Sequence, residues 1–171
     1  MAKIGIYGGS FNPVHFGHIG LVKWVLAHCD LDEIWMLVSP KSPLKTERED
    51  LDKNYAQRLE AAKEAMKDVP NVVVSDFEAH LPLPSYTANT LRELRQQYPE
   101  HDFSLIIGED NWRVFDKWRE WQYILANYRI LVYPRRSENP MPPIENTNVV
   151  YLKDAPYFDI SSTEIRNKYD K

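Results

Sequence analysis

The sequence predicts an α/β domain, with a mostly parallel sheet flanked by helices. Short apolar runs rich in β-branched residues alternate with helix-length amphipathic segments, which is the pattern of βαβ units. The 171 residues suffice for one core and leave little for a second. A glycine-bearing turn follows the first apolar run and leads at once into a helical segment. No internal repeat, low-complexity tract or domain-separating linker interrupts this order, so residues 1–171 are expected to form a single domain.

Strands are expected at residues 3–7, 33–38, 71–75, 103–107, 128–133 and 148–151, where the apolar runs lie. Helices are expected at 17–28, 54–66, 87–98 and about 118–125, where apolar residues recur every three or four positions, as Leu91, Leu94 and Tyr98 do. Two loops stand out. Residues 39–53 are charged and carry Pro40 and Pro43, and residues 134–146 carry four prolines and Arg135-Arg136. Both are candidate substrate lids or simply solvated loops.

Composition narrows the function. Hydrophobic residues make up 43% and charged residues 27%, ordinary globular usage that excludes disorder and fibrous repeats. Lys plus Arg number 21 against 25 Asp plus Glu, a net charge of −4, with a pI near 5.7. That balance is the opposite of a nucleic-acid footprint. The single Cys29 forms no internal disulfide, the N-terminus lacks a signal-peptide core, and the longest apolar runs, such as 34–38, fall far short of a bilayer span. A cytoplasmic protein, without nucleic acid or membrane as partner, is the expectation.

The chemistry begins after the first strand, in Gly8-Gly9-Ser10-Phe11-Asn12-Pro13-Val14-His15-Phe16-Gly17-His18. Glycines allow backbone N–H groups to approach an anion, and the next helix offers free N–H groups and a positive dipole end. The three-glycine dinucleotide fingerprint and the P-loop Lys-Ser/Thr are both absent, so a different nucleotide chemistry is implied. His15 and His18, three residues apart at the helix start, would converge on one anion and stabilise charge growing on a leaving pyrophosphate. His28, His80 and His101 read as ordinary satisfied or exposed side chains. A zinc site lacks ligands beside the pair, and Cys29 reads as a small buried hydrophobe.

Near the other end, Asp159-Ile160-Ser161-Ser162-Thr163-Glu164-Ile165-Arg166 opens a short helix. Ser161 and Glu164 have capping-box spacing. The consecutive hydroxyls with Arg166 one turn on also gather donors and a fixed positive charge suited to ATP phosphates. Capping and binding can coexist.

The opening Gly-Gly-Ser-Phe…His-x-x-His and the closing Ile-Ser-Ser-Thr-x-x-Arg resemble the nucleotidyltransferase superfamily of adenylyltransferases. Between them, Ser85-Tyr86-Thr87-x-x-Thr90 and Ile107-Gly108-Glu109-Asp110…Trp118 resemble the bacterial nicotinate-nucleotide adenylyltransferases, which make deamido-NAD from ATP and nicotinate mononucleotide. The resemblance implies a Rossmann-like sheet with ATP between the opening glycines and the closing hydroxyls. It also implies a magnesium-assisted in-line attack of the mononucleotide phosphate on the α-phosphorus of ATP, expelling pyrophosphate.

The same resemblance gives ATP to Gly8, Gly9, Ser10, Phe11, His15, His18, Gly108, Asp110, Ser161, Ser162 and Arg166, with His15, His18 and Arg166 as the catalytic set. Asp110 matches a ribose-side acid, although an Asp there could instead cap the following helix. The mononucleotide would meet Lys45, Tyr86, Thr87 and Trp118. Lys45 is either a phosphate contact or an exposed lysine, Thr87 could merely cap its helix, and Trp118 matches an aromatic that stacks on the nicotinate ring. Trp35, Trp112 and Trp121 read as packing residues. No resident metal site is implied, since Mg2+ would enter with ATP.

Asn12, Leu44 and Asn89 stand where Asp, His and Asp are frequent in the family, and the chain stops soon after Arg166, where the family continues through a further helical segment. The expectation is a domain without that C-terminal tail. Pantetheine-phosphate adenylyltransferases share both end motifs but usually carry Thr at the position of His15 and lack the middle motifs. A non-catalytic ATP-sensing module is the alternative from another class, and homo-oligomerisation stays open.

Overall fold

In the computed structural model, which describes residues 2–11, 14–40, 54–82, 86–135 and 146–156, six strands form one all-parallel sheet in the order β3-β2-β1-β4-β5-β6. The strands are β1 Lys3–Gly9, β2 Glu33–Val38, β3 Val72–Ser75, β4 Asp102–Gly108, β5 Arg129–Tyr133 and β6 Val149–Tyr151. The helices are α1 Phe16–His28, α2 Tyr55–Met66, α3 Thr87–Gln97, α4 Glu109–Arg113 and α5 Trp121–Asn127. The single α/β domain expected from the sequence is the one observed.

Helices cover both faces because both faces of the strands are apolar, as buried parallel strands must be. The alternation within each strand sorts residues between two cores. Ile4 and Ile6 of β1, with Phe103, Leu105 and Ile107 of β4, join Leu91 and Leu94 of α3 and Ile124 of α5. Ile34 and Met36 of β2 and Ile106 of β4 join Leu21, Val22 and Val25 of α1 and Ala62 and Met66 of α2. Winding therefore runs outward from β1 in one direction and from β4 in the other. The order reverses between those two strands and leaves a crevice at their carboxyl ends, where doubly wound sheets bind ligands.

One predicted element is corrected. Residues 118–125 do not form one helix: Phe115–Lys117 make a 3-10 turn, Trp118 is extended at φ −74° and ψ 147°, and α5 starts at Trp121. Glu120 sits in the left-handed region at φ 55°, which breaks any helical path from Trp118. The short α4 lay unmarked in the sequence because five residues carry too little periodicity to register.

Candidate active site

The carboxyl ends of β1 and β4 open onto a cavity of about 190 Å³. Gly8 and Gly9 line it from β1, Ser39 follows β2, Thr87 and Thr90 come from α3, and Asn111 and Trp118 close the far side. Of the residues expected to bind ligands, Gly8, Gly9, Thr87 and Trp118 thus line one cavity. Lys45, Ser161, Ser162 and Arg166 lie outside the described residues, as do the interiors of both candidate lids.

His15 and His18 stand at the start of α1, and they fix one another. His15 is the N-cap: its Nδ1 accepts the Gly17 N–H at 3.0 Å, while Nδ1 of His18 accepts the His15 N–H at 3.0 Å. This is a capping box built from two imidazoles instead of a hydroxyl and a carboxylate. Both Nδ1 atoms act as acceptors and carry no proton, so each neutral ring carries its hydrogen on Nε2. The rings stack with centroids 3.8 Å apart at 28°. Burial, followed by the charges of His15 and Arg135, pushes the His18 pKa from 6.5 down to about 3. His18 is therefore neutral at physiological pH and offers Nε2–H as a hydrogen-bond donor. For His18 the packing decides the charge state.

Phe11, expected among the ATP contacts, is occupied differently. The residue is 4% exposed, and its ring packs edge-on against Tyr7 at 5.4 Å and His18 at 4.9 Å. Its backbone takes φ 46°, which is costly for a bulky residue. The ring folds back over Gly9, where an added Cβ would lie 3.3 Å from it.

Gly108 ends β4 and is the N-cap of α4. A Cβ there would lie 2.6 Å from Asp110 Oδ1 and 3.0 Å from the Tyr133 ring, so its absence makes room for the Asp110 carboxylate. Asp110 is exposed and makes no cap, which removes the capping reading. Its neighbour Glu109 is buried, accepting the Tyr151 hydroxyl at 2.7 Å and Arg113 Nη2 at 3.0 Å. Burial raises the Tyr7 and Tyr133 hydroxyl pKa values, and these two groups hydrogen-bond to each other. Arg135 bonds Tyr133, and its positive charge also reaches His18 and Tyr7.

On the cavity's far side Trp118 stacks on Phe115 at 5.1 Å and 15°, so one ring face is covered by protein. Trp35, Trp112 and Trp121 pack against the core, as expected. Tyr86 is the N-cap of α3, and no side chain caps that helix, so Thr87 is not a cap. The Arg119 guanidinium lies over the exposed Tyr86 ring at 4.8 Å.

His28 lies against Trp24, His80 meets Asp76 on the surface and His101 packs near Trp35, all apart from the paired histidines. Cys29 is the half-buried C-cap of α1, its thiol pKa raised by burial. No described helix is long and apolar enough to cross a membrane. No cluster of three or more His, Cys, Asp or Glu side chains among the described residues could hold a metal.

Two charged residues escaped the sequence reading. Glu78, buried in the cavity wall, accepts the Thr90 hydroxyl at 2.7 Å, and burial raises its pKa. Arg58, 3% exposed, donates from Nη1 to the carbonyls of Ser10 and Ser39. The signal for Arg58 was present: Tyr55, Arg58, Ala62 and Met66 form the buried stripe of α2, so a charge stands in an apolar slot.

The cytidylyltransferase-like family matches residues 6–168. A Bacteroides fragilis protein named as a "probable nicotinate-nucleotide adenylyltransferase" is 46% identical over 168 residues, covering 96% of this chain and 80% of that protein. A Flavobacterium johnsoniae protein of the same name is 45% identical over 170 residues, covering 96% and 85%. Among solved structures, the Plasmodium falciparum nicotinic acid mononucleotide adenylyltransferase complexed with NaAD shares the fold at TM-score 0.77. It is 18% identical and covers 98% of this chain and 83% of its own.

Proposed function

We propose, for a chain that belongs to the cytidylyltransferase-like family and within it to the nicotinate-nucleotide adenylyltransferases, that it transfers the adenylyl group of ATP to nicotinate mononucleotide. The products are deamido-NAD and pyrophosphate, a step of NAD biosynthesis in the cytoplasm. The carrying observation is the His15–His18 pair, two imidazoles whose Nδ1 atoms each accept a backbone N–H at the start of the helix that follows the Gly8-Gly9 end of β1.

A phosphate oxygen of the mononucleotide attacks the α-phosphorus as the α–β bridging P–O bond breaks, and the electron pair leaves on pyrophosphate. No side chain becomes covalently attached. The protein's contribution is positioning and electrostatic stabilisation. Nε2–H groups of His15 and His18 donate to the departing oxygens, and His18 needs no proton exchange because it starts neutral. Donors held in place before reaction cost no reorganisation when the charge develops. Ser10 and main-chain N–H groups of the turn, with Ser161, Ser162 and Arg166, complete the triphosphate site. Asp110, beside Gly108, takes the ribose. Trp118 and Thr87 line the cavity that would take the mononucleotide, with Tyr86 and Lys45 as further contacts. Mg2+ enters as part of the MgATP substrate. It prefers oxygen ligands and keeps phosphate and water around it.

Pyrophosphate release with MgATP and, in turn, nicotinate mononucleotide, nicotinamide mononucleotide and phosphopantetheine tests the reading. Release with nicotinate mononucleotide is expected. Release with phosphopantetheine alone would return the middle motifs to structural roles, and ATP binding without any release would make the chain a sensing module.

A further inference from the structure

Arg58 lies on α2, 3% exposed, in a slot where Leu or Met would serve packing. A buried guanidinium is costly unless its donors are satisfied. Here Nη1 donates to the carbonyl of Ser10 at 2.8 Å and to that of Ser39 at 2.9 Å, and Nε donates to Asn54 Oδ1 at 3.3 Å. Ser10 follows β1 and Ser39 follows β2, so one side chain bridges the carboxyl ends of two neighbouring strands. The Ser39 N–H, in turn, donates to the Gly9 carbonyl at 2.8 Å. Together these bonds form a closed bracket beneath the glycine turn.

The bracket has a geometric consequence. In a trans peptide the C=O and the following N–H point in opposite directions. With the Ser10 carbonyl held toward Arg58, the Phe11 N–H is turned away from it. Phe11 is also the residue in the left-handed region, at φ 46°, so a bulky residue is kept in a costly conformation at that same peptide. Backbone N–H groups oriented by such a local reversal form anion-binding concavities.

We propose that Arg58 is a positioning residue for the phosphate-binding turn, holding the Ser10–Phe11 peptide so that its N–H serves the nucleotide phosphates and placing a permanent positive charge behind them. This rests on the adenylyl-transfer reading only in taking the turn's ligand to be a polyphosphate. Lysine could supply the charge but not the fork that grips two carbonyls and Asn54 together.

The test is MgATP binding by calorimetry and steady-state turnover on the full chain, for the parent protein, Arg58→Met, Arg58→Lys and Asn54→Ala. Arg58→Met is expected to weaken MgATP binding about 30-fold or more, with Arg58→Lys recovering part of the loss. The KM for ATP is expected to rise more steeply than kcat falls. Asn54→Ala loosens the guanidinium without stranding a charge, and should weaken MgATP several-fold while unfolding stays cooperative. If Arg58→Met fails to fold, Asn54→Ala and Arg58→Lys decide the matter. MgATP affinity within twofold of the parent in folded variants would overturn the inference and leave Arg58 a packing residue. If the parent itself binds no MgATP, the functional reading falls and this inference with it.

Discussion

Acidification is the perturbation that most directly tests the histidine pair. Burial and the neighbouring His15 and Arg135 charges hold the His18 pKa at about 3, against an ordinary 6.5. The unfolded chain therefore takes up the proton first. Above pH 6.5 His18 adds no pH dependence, and as the pH falls from 6.5 toward 3 the unfolded state is progressively favoured. At pH 5 the loss relative to pH 8 comes to about 2 kcal/mol. Urea unfolding of the parent and of His18→Gln at pH 8, 6.5 and 5 isolates this term, because Gln at the same position can still complete a capping box. The parent's stability relative to the variant should decline by about 2 kcal/mol between pH 8 and 5. A constant difference, or a His18 ring resonance that titrates near 6.5 in NMR, would refute the reasoning.

His15→Asn separates capping from chemistry. Asn is a good N-cap, so stability should change by less than about 0.5 kcal/mol in thermal melts. Turnover should nevertheless fall about 100-fold, the scale of losing one preorganised donor. Gly108→Ala places a Cβ 2.6 Å from Asp110 Oδ1 and 3.0 Å from the Tyr133 ring. It should cost about 1–3 kcal/mol in urea unfolding and weaken MgATP binding by displacing Asp110; unchanged affinity would sever Asp110 from the nucleotide. Tyr151→Phe removes the donor at 2.7 Å from the buried Glu109 carboxylate. It should destabilise by about 1–3 kcal/mol, and an effect below about 0.5 kcal/mol would show the bond to be dispensable.

The sheet was legible in the sequence because local periodicity and burial report the same fact: a strand buried on both faces must be apolar throughout, and a helix on one face must carry a stripe. The paired-histidine helix start was legible for a similar reason, since the glycines of β1 and two histidines three residues apart lie within one short segment. Trp118 was misplaced in a helix because its apolar neighbours have helical spacing, while the left-handed Glu120 that interrupts the helix leaves no mark in that spacing.

Other features depended on residues distant in the chain. The lowered pKa of His18 comes first from burial around α1, then from His15, and last from the charge of Arg135, more than a hundred positions away. Phe11 looked available to ATP until packing against Tyr7 and His18 enclosed its ring. The stripe of α2 marks Arg58 as a charge in an apolar slot without showing what it holds, and Glu78 carries no local signal. Their roles required partners brought together from separate strands and helices: Ser10 and Ser39 for the guanidinium, Thr90 for the carboxylate. Sequence by itself determined which segments form strands and helices and that paired histidines open α1, because those rest on local backbone chemistry. Tertiary structure decided which groups are charged, which side chains face inward and which way each peptide points, because desolvation and hydrogen bonding depend on neighbours that only the fold supplies.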